Sequence, residues 1–184
     1  IIDANEIEDF TYFDVLTWNV EGFSRSFQNL RLFSEQYSPK LIFLSEPMLH
    51  QCDLPPLLLP FQGGYVSHLN SEDLYAEDLP LTKSRAHGGT MILWHTSISP
   101  FITVLATKSP SFQSILIKMP GTVTSVHTVL YLPTSGKEDL FMSSLVDLGA
   151  HIEEIRLQYP EAPHFFRGDA NVIPNNSARH GLFS

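Results

Sequence analysis

Short runs of apolar, β-branched and aromatic residues alternate with two stretches of helical periodicity along most of the chain. Gly, Pro or polar clusters bound most of the apolar runs, as is usual for β-strands. The pattern predicts eight strands, at residues 13–18, 40–45, 65–69, 90–94, 102–107, 112–119, 123–132 and 164–167. Within the sixth, apolar Ile115, Ile117 and Met119 alternate with Leu116 and Lys118, which predicts a half-buried strand.

A first helix is predicted between the first two strands, ending before Pro39. Its apolar residues recur at helical spacing and are expected to form the buried face: Phe27, Leu30, Phe33 and Tyr37. A strand, a helix and a strand in this order predict a right-handed parallel βαβ unit.

A second helix is predicted at 138–159, where apolar residues recur in steps of three and four: Phe141, Leu145, Leu148, Ile152 and Ile155. The four strand-like runs from residue 90 to residue 132 are separated by short gaps, which predicts antiparallel neighbours. The polar, aperiodic stretch 70–86 is predicted to be a loop that contributes little to the core.

Polar residues of the types used in catalysis stand at the carboxyl ends of four predicted strands. They are Asn19, Glu46, Tyr131, Asp169 and Asn171. Taken singly, each has an ordinary alternative as a turn residue, an exposed strand terminus or a core aromatic. In sheets with helical crossovers, however, functional sites collect at the carboxyl ends of strands. Together the five residues predict one site built from two carboxylates, two amides and a phenol.

Such a set suits metal-assisted phosphodiester cleavage. A hard cation such as Mg²⁺ needs oxygen ligands, often one or two carboxylates completed by water and phosphate. Glu46 would bind the metal beside Asn19, and Asn171 and Tyr131 would donate hydrogen bonds to phosphate oxygens. Asp169 would orient a water molecule or transfer a proton. The sequence contains no G-x-S-x-G, P-loop or G-x-G-x-x-G motif that would favour another chemistry.

Composition narrows the class of protein without choosing a substrate. The chain of 184 residues is 43% hydrophobic and 17% charged, as is typical of a globular domain. Its apolar runs are too short to span a membrane, and a single cysteine, Cys52, excludes an internal disulfide. The net charge is −9, but eight of the acidic residues lie in segments 3–9 and 72–78. The remainder is nearly neutral, so charge neither supports nor excludes a nucleic-acid substrate.

The motifs at the strand ends resemble those of the endonuclease/exonuclease/phosphatase superfamily, and within it the endonuclease domain of non-LTR (LINE-type) retrotransposons. The matching segments follow the family's order: LTWNVEG at 16–22, IFLSE at 42–46, GGTMILW at 88–94, YLP at 131–133 and RGDAN at 167–171. A strand-end asparagine, a strand-end glutamate and a Gly-Asp-x-Asn sequence are specific in combination, although each alone is weak.

The resemblance implies a DNase I-like fold of the α/β class, a four-layer sandwich of two packed mixed β-sheets with helices outside. It divides the chain into an N-terminal arm, 1–12, and a partial endonuclease/exonuclease/phosphatase domain, 13–184. It also implies a divalent cation, Mg²⁺ with Mn²⁺ as a substitute.

The family's site residues carry over to matching positions of this chain. Glu46 corresponds to the metal ligand and Asn19 to its neighbour. Three residues correspond to those around the scissile phosphate: Tyr131, Asp169 and Asn171. Arg179 matches an arginine that follows the Gly-Asp-x-Asn motif in retrotransposon members, where it would bind substrate. It is equally well explained as a surface arginine.

The sequence departs from the family at two points. Ala170 stands where the family usually has a bulkier apolar residue. The family's closing strands and terminal Ser-Asp-His motif are absent, and none of the eight histidines, His180 included, stands in such a context. We therefore expect a C-terminally incomplete domain without its general base, with the final strands missing. On that expectation the isolated chain cleaves DNA slowly or not at all.

The function that the resemblance implies is the nicking of genomic DNA, which leaves a 3′-hydroxyl that primes reverse transcription. The implied partners are DNA and a downstream reverse transcriptase region of the same polypeptide, with no membrane. The expected location is intracellular, and nuclear at the time of action. Two alternatives stay open: another phosphoesterase of the superfamily, acting on abasic sites or small phosphates, and a catalytically inactive relic.

Overall fold

The computed structural model describes residues 14–50, 64–71, 88–133 and 138–171. The elements in these segments are β1 (Val15–Asn19), α1 (Phe23–Tyr37), β2 (Leu41–Ser45), β3 (Tyr65–Asn70), β4 (Thr90–His95), β5 (Ile102–Leu105), β6 (Phe112–Ile117), β7 (Ser125–Tyr131), α2 (Glu138–Gln158) and β8 (His164–Asp169). A short 3₁₀ helix, Thr96–Phe101, joins β4 to β5. The eight strands and two helices predicted from the sequence are confirmed, with slightly different ends. The predicted N-terminal arm lies outside the described residues.

The first sheet is mixed and has the strand order β1-β2-β4-β3. β1 and β2 pair in parallel with α1 between them, so the predicted βαβ unit is confirmed. β4 pairs antiparallel with both β2 and β3. The prediction starts the following loop too early, at residue 70, because Asn70 is the buried last residue of β3. Residues 72–86 of that loop lie outside the described part of the chain.

The second sheet is also mixed and has the order β5-β6-β7-β8. β5, β6 and β7 are antiparallel neighbours, as predicted, and β8 joins β7 in parallel after α2. The prediction is wrong for β4, which belongs to the first sheet. The 3₁₀ helix redirects the chain between the sheets. It contains Pro100, and the His95 side chain accepts a hydrogen bond from the Ser97 N–H at its start.

The two sheets pack face to face around one apolar layer. Its members are Leu41, Phe43, Ile92, Trp94, Ile98, Ile115, Ile117, Met119 and Val129. α1 covers the outer face of the first sheet and α2 the outer face of the second, which makes the predicted four-layer α/β sandwich. β6 is buried on both faces and not half-buried as predicted, because α2 covers its outer face. Neither of these helices is long and apolar enough to cross a membrane.

The buried face of α1 differs from the predicted one. Phe33 and Tyr37 are 37% and 52% exposed, and their ring centroids lie 4.5 Å apart on the helix surface. The buried face runs through Phe23, Leu30 and Ser34. The Ser34 hydroxyl donates to the carbonyl of Leu30 at 2.8 Å, which satisfies it inside the protein. The spacing of apolar residues does not predict this face because one of its three buried residues is a serine.

The buried face of α2 is also partly polar. Leu145, predicted to be buried, is exposed, whereas Ser144 and His151 face the sheet. The hydroxyls of Ser144 and Ser111 lie 3.1 Å apart, and Nε2 of His151 lies 2.8 Å from the hydroxyl of Ser114. Hydroxyl partners on the outer face of the sheet therefore allow polar side chains of α2 to turn inward.

Candidate active site

The carboxyl ends of β1, β2, β7 and β8 lie along one edge of the sandwich. In the first sheet Asn19 is paired with Ser45, the residue before Glu46. In the second sheet Tyr131 is paired with Asp169. Because β1 contacts β8 across the sandwich, these strand ends face one another. The structure thus brings the predicted strand-end residues of both sheets to one edge.

The carboxylate of Asp169 is the centre of the hydrogen bonding at this edge. The side-chain amide of Asn19 donates to Oδ2 of Asp169 at 3.1 Å, which joins the two sheets. The backbone N–H of Asn171 donates to Oδ1 at 2.9 Å. The side-chain oxygen Oδ1 of Asn19 accepts a hydrogen bond from the backbone N–H of Glu21 at 3.1 Å, so the side-chain amide is itself fixed in orientation. Asp169 is therefore held on both oxygens by rigid donors.

Asn171 follows Asp169 in a left-handed backbone conformation, with φ of 48°. Its side-chain NH₂ donates to the carbonyl of Leu132 at 2.6 Å, which fixes the amide beside the end of β7. Among the described residues, one N–H of this amide and its carbonyl oxygen have no partner and could contact a substrate.

The backbone conformation and close surroundings of Gly168 explain why a glycine precedes Asp169 in β8. Its φ is +108°, and a Cβ at this position would lie 2.1 Å from the carbonyl oxygen of Leu130 on β7. No other residue fits this approach without moving β8 away from β7. The glycine therefore sets the position of Asp169.

Glu46 is held through its main chain and not through its side chain. Its φ is 54°, its N–H donates to the carbonyl of Gly89 at 3.1 Å, and its carbonyl accepts from the N–H of Gly22 at 2.9 Å. The half-buried carboxylate makes no hydrogen bond or ion pair with any residue in the described segments. Its backbone is thus fixed, and its carboxylate keeps its bonding capacity within the described part of the chain.

Left-handed backbone is concentrated at this edge. Besides Glu46 and Asn171, the non-glycine residues Glu21 and Met48 have φ of 45° and 50°. Such conformations cost about 1–3 kcal/mol each and persist where the surrounding structure over-determines them, typically at functional sites.

Of the two remaining predicted site residues, Tyr131 lies within the described segments and Arg179 does not. Tyr131 ends β7 beside Asp169 and is half-buried, and its backbone N–H donates to the carbonyl of Ser111 at 2.7 Å. Arg179, predicted to bind substrate, lies outside the described residues, so this prediction stays untested.

The donor set at the edge fits a magnesium ion. No three His, Cys, Asp or Glu side chains in the described segments cluster to hold a metal by themselves. The available donors are the Glu46 carboxylate and the amide oxygen of Asn19, which keeps a lone pair beyond its bond to Glu21. Mg²⁺ commonly binds one or two carboxylates and keeps several waters, so a larger protein cage is not required.

An arginine and a histidine, which the sequence analysis did not single out, lie beneath the site between the sheets. The Arg167 guanidinium is 2.9 Å from Nδ1 of His127 and 5.2 Å from the ring centroid of Phe43. Arginine can only donate, so His127 accepts at Nδ1 and its Nε2–H points to the hydroxyl of Ser125, 3.0 Å away. The signal was available in the sequence: Arg167 is two residues before Asp169 and therefore lies on the same face of β8.

Burial lowers the pKa of His127 to about 4, with the positive charges of Arg167 and then His164 adding to the effect. Protonation therefore favours the unfolded chain, and stability that is complete above about pH 6.5 is lost as the pH falls toward 4. Between about pH 7 and pH 5 this one group should lower the unfolding free energy by about 2 kcal/mol.

Urea unfolding of the wild type and of His127→Gln at the two pH values tests this expectation. Glutamine does not titrate, so the difference between the two pH values should shrink by about 2 kcal/mol in the variant. An unchanged pH dependence would show that His127 is not the responsible group. The pKa of His164, also lowered to about 4 by burial first and then by charge, acts in the same direction in both proteins.

Comparison with solved structures identifies the fold. The chain superposes on TDP2 from Caenorhabditis elegans with a TM-score of 0.57 and 17% identity, covering 88% of this chain and 48% of that one. The 3′ phosphatase NExo from Neisseria, bound to a product DNA hairpin, superposes with a TM-score of 0.61 and 15% identity, covering 90% of this chain and 60% of that one. The human Nocturnin catalytic domain with a bound sulfate anion superposes with a TM-score of 0.58 and 17% identity, covering 88% of this chain and 64% of that one.

These neighbours are members of the endonuclease/exonuclease/phosphatase superfamily, and the chain has their DNase I-like fold. It spans between 48% and 64% of the length of the three structures. No protein-family model matches the sequence, and no curated protein is significantly similar to it.

Proposed function

We propose that this chain belongs to a metal-dependent phosphodiesterase that acts on DNA. The observation that carries the proposal is the pair of carboxylates at the strand-end edge. Asp169 is held on both oxygens by Asn19 and Asn171, whereas Glu46 is fixed through its backbone and keeps its carboxylate unbonded among the described residues. One carboxylate is thus oriented for a substrate and the other is available for a cation.

Each residue has a role consistent with its contacts. Glu46, with Asn19 beside it, would hold Mg²⁺ or Mn²⁺, which when bound neutralises charge that develops on the phosphate and the leaving oxygen. The free N–H of Asn171 and the phenol of Tyr131 would donate to phosphate oxygens. Asp169, whose position is fixed, would orient a water molecule or transfer a proton.

The general base is not supplied by the histidines packed in or against the second sheet, of which two are buried and His164 is half-buried. His127 is bonded to Arg167 between the sheets, and His151 and His164 bond to hydroxyls on its outer face. The Asp169 carboxylate accepts hydrogen bonds from Asn19 and Asn171, and no histidine of the described segments is bonded to it.

The finer proposal is nicking of DNA in the manner of LINE-type endonucleases. It is supported by the order and identity of the five motif segments and by a fold shared with NExo, which was solved with a product DNA hairpin. On this proposal the product is a 3′-hydroxyl used by a reverse transcriptase region of the same polypeptide in the nucleus. Arg179 would contact the DNA.

Metal binding gives the first test. Water relaxation by Mn²⁺ should increase when the wild-type chain is added and should increase much less with Glu46→Gln. Glu35→Gln is a matched control, since Glu35 is an exposed glutamate of α1 in a salt bridge with Arg31. Binding should be weak because few protein ligands are fixed before phosphate arrives. Equal relaxation by all three proteins would contradict the placement of the metal at Glu46.

The substrate class is tested by offering supercoiled plasmid, an abasic oligonucleotide and a sugar phosphate under the same conditions with Mg²⁺. We expect any product to be nicked plasmid that a polymerase extends from its 3′-hydroxyl. Cleavage confined to the abasic oligonucleotide or to the sugar phosphate would instead favour the two other superfamily activities.

A further inference from the structure

The strand-end edge extends well beyond Asp169. The two sheets are stacked strand over strand, with β1 against β8 at one end, where Asn19 bonds Asp169. At the other end β3 lies against the start of β6, where the Asn70 amide donates to the carbonyls of Ser109 and Phe112 at 2.8 and 2.7 Å. Three strand spacings of about 4.8 Å separate β8 from β5, so this edge is about 14 Å long.

The loop between β5 and β6, residues 106–111, forms the far end of this edge and is well fixed. Asn70 holds the carbonyl of Ser109. The backbone N–H of Ser109 bonds the Thr107 hydroxyl at 3.3 Å, and the N–H of Ser111 bonds the Ser109 hydroxyl at 3.3 Å. Lys108 stands between these anchored residues, is exposed, and makes no ion pair within the described segments.

The other cations of the described residues are placed elsewhere. Three belong to the opposite edge of the sandwich, because they precede β2, follow β6 or lie in the last turn of α2: Lys40, Lys118 and Arg156. Arg31 is paired with Glu35, and Arg167 is bonded between the sheets.

Arg25, the remaining cation, lies about half a turn of α1 away from the buried Phe23 and so faces away from the sheet. Among the described residues, Lys108 is therefore the exposed cation that the topology places at this edge on the second sheet, the sheet that also carries Asp169.

We propose that Lys108 binds a backbone phosphate of duplex DNA at a second contact point along this edge. The inference rests on the proposed function, since the scissile phosphate would lie at Asp169. The two phosphates would lie about 14 Å apart, the length of this edge. A lysine suits this role because phosphate contacts fix register and orientation without reading sequence.

The test is the salt dependence of binding to a short duplex, measured by fluorescence anisotropy without Mg²⁺ so that no cleavage occurs. Lys108→Gln should weaken binding several-fold at low salt and reduce the slope of log K against log salt by about 0.9, as expected for one lost phosphate contact. Lys118→Gln, an exposed lysine at the opposite edge of the same sheet, should match the wild type. Unchanged thermal melts will show that all three proteins are folded.

Position is tested by neutralising single phosphates of the duplex. Ethylation of single phosphates, one at a time on either strand, should identify a position that weakens the wild type and leaves Lys108→Gln unaffected. That phosphate should lie about 14 Å from the scissile phosphate. Equal slopes for the wild type and Lys108→Gln, or equal losses for both lysine variants, would overturn the inference while leaving the proposed function intact. A wild-type chain that binds no duplex even at low salt would overturn both.

Discussion

Replacing Gly168 by alanine is expected to destabilise the domain by more than about 3 kcal/mol, or to prevent folding. The new Cβ would lie 2.1 Å from the carbonyl oxygen of Leu130, and backbone cannot yield as a flexible side chain would. The φ of +108° adds strain for any residue with a Cβ. β8 would have to separate from β7, so the variant should lose the position of Asp169 together with its stability.

Gly121→Ala is the matched control. Gly121 also has a positive φ, +76°, but a Cβ there meets no atom within 4 Å. Gly121→Ala should therefore lower the unfolding free energy only by the strain of a left-handed backbone, about 1–2 kcal/mol. Urea unfolding compares the two variants, and thermal melts give a second measure at about 2–4 °C per kcal/mol in a domain of this size. Equal losses would show that the close approach of β8 to Leu130 is not what requires glycine at 168.

Asp169→Asn is expected to reduce Mg²⁺-dependent nicking by about 10²–10⁴-fold relative to the wild-type chain. The amide cannot take up a proton and cannot accept hydrogen bonds at both of the positions now bonded by Asn19 and Asn171. Loss of one such bond to a carboxylate costs about 1.5–3 kcal/mol, which is less than the total stability of a typical domain, so the variant should fold. Enzyme in excess over plasmid and long incubations make even a slow wild-type rate measurable.

Asp147→Asn provides the control for lost charge, because Asp147 lies on the exposed face of α2. Its nicking rate should equal that of the wild type. A rate for Asp169→Asn that also equals the wild-type rate would remove Asp169 from the catalytic group and leave Glu46 as the carboxylate to test next.

The polar residues predicted to stand at strand termini do stand there, because their signal is local. An apolar run that stops at a polar residue places that residue at a strand terminus, whatever the strand pairs with. Asn19, Glu46, Tyr131 and Asp169 all lie where this reasoning puts them. Parallel pairing of β1 with β2 and of β7 with β8 then follows from the helix between each pair.

The helix faces were predicted less well because their signal is not local. The sequence marks Phe33 and Leu145 as core residues by apolar spacing, yet both are exposed. Ser34, Ser144 and His151 are buried in their place, since each finds a hydrogen-bond partner. Whether burial of a polar group is tolerated depends on that partner, which comes from another segment of the chain for Ser144 and His151.

Local patterns of residues predict the elements, their order and the polar residues at the strand ends, because periodicity and chain breaks act over a few residues. The assignment of β4 and β5 to different sheets follows only from the folded structure, as does the contact of the Asn19 amide with the Asp169 carboxylate 150 positions away. The same holds for the contact of Arg167 with His127 beneath the site and for the place of Lys108 at its edge. These relations depend on how two sheets stack, and stacking is fixed by the complementary shapes of their apolar faces, which no local pattern of residues encodes.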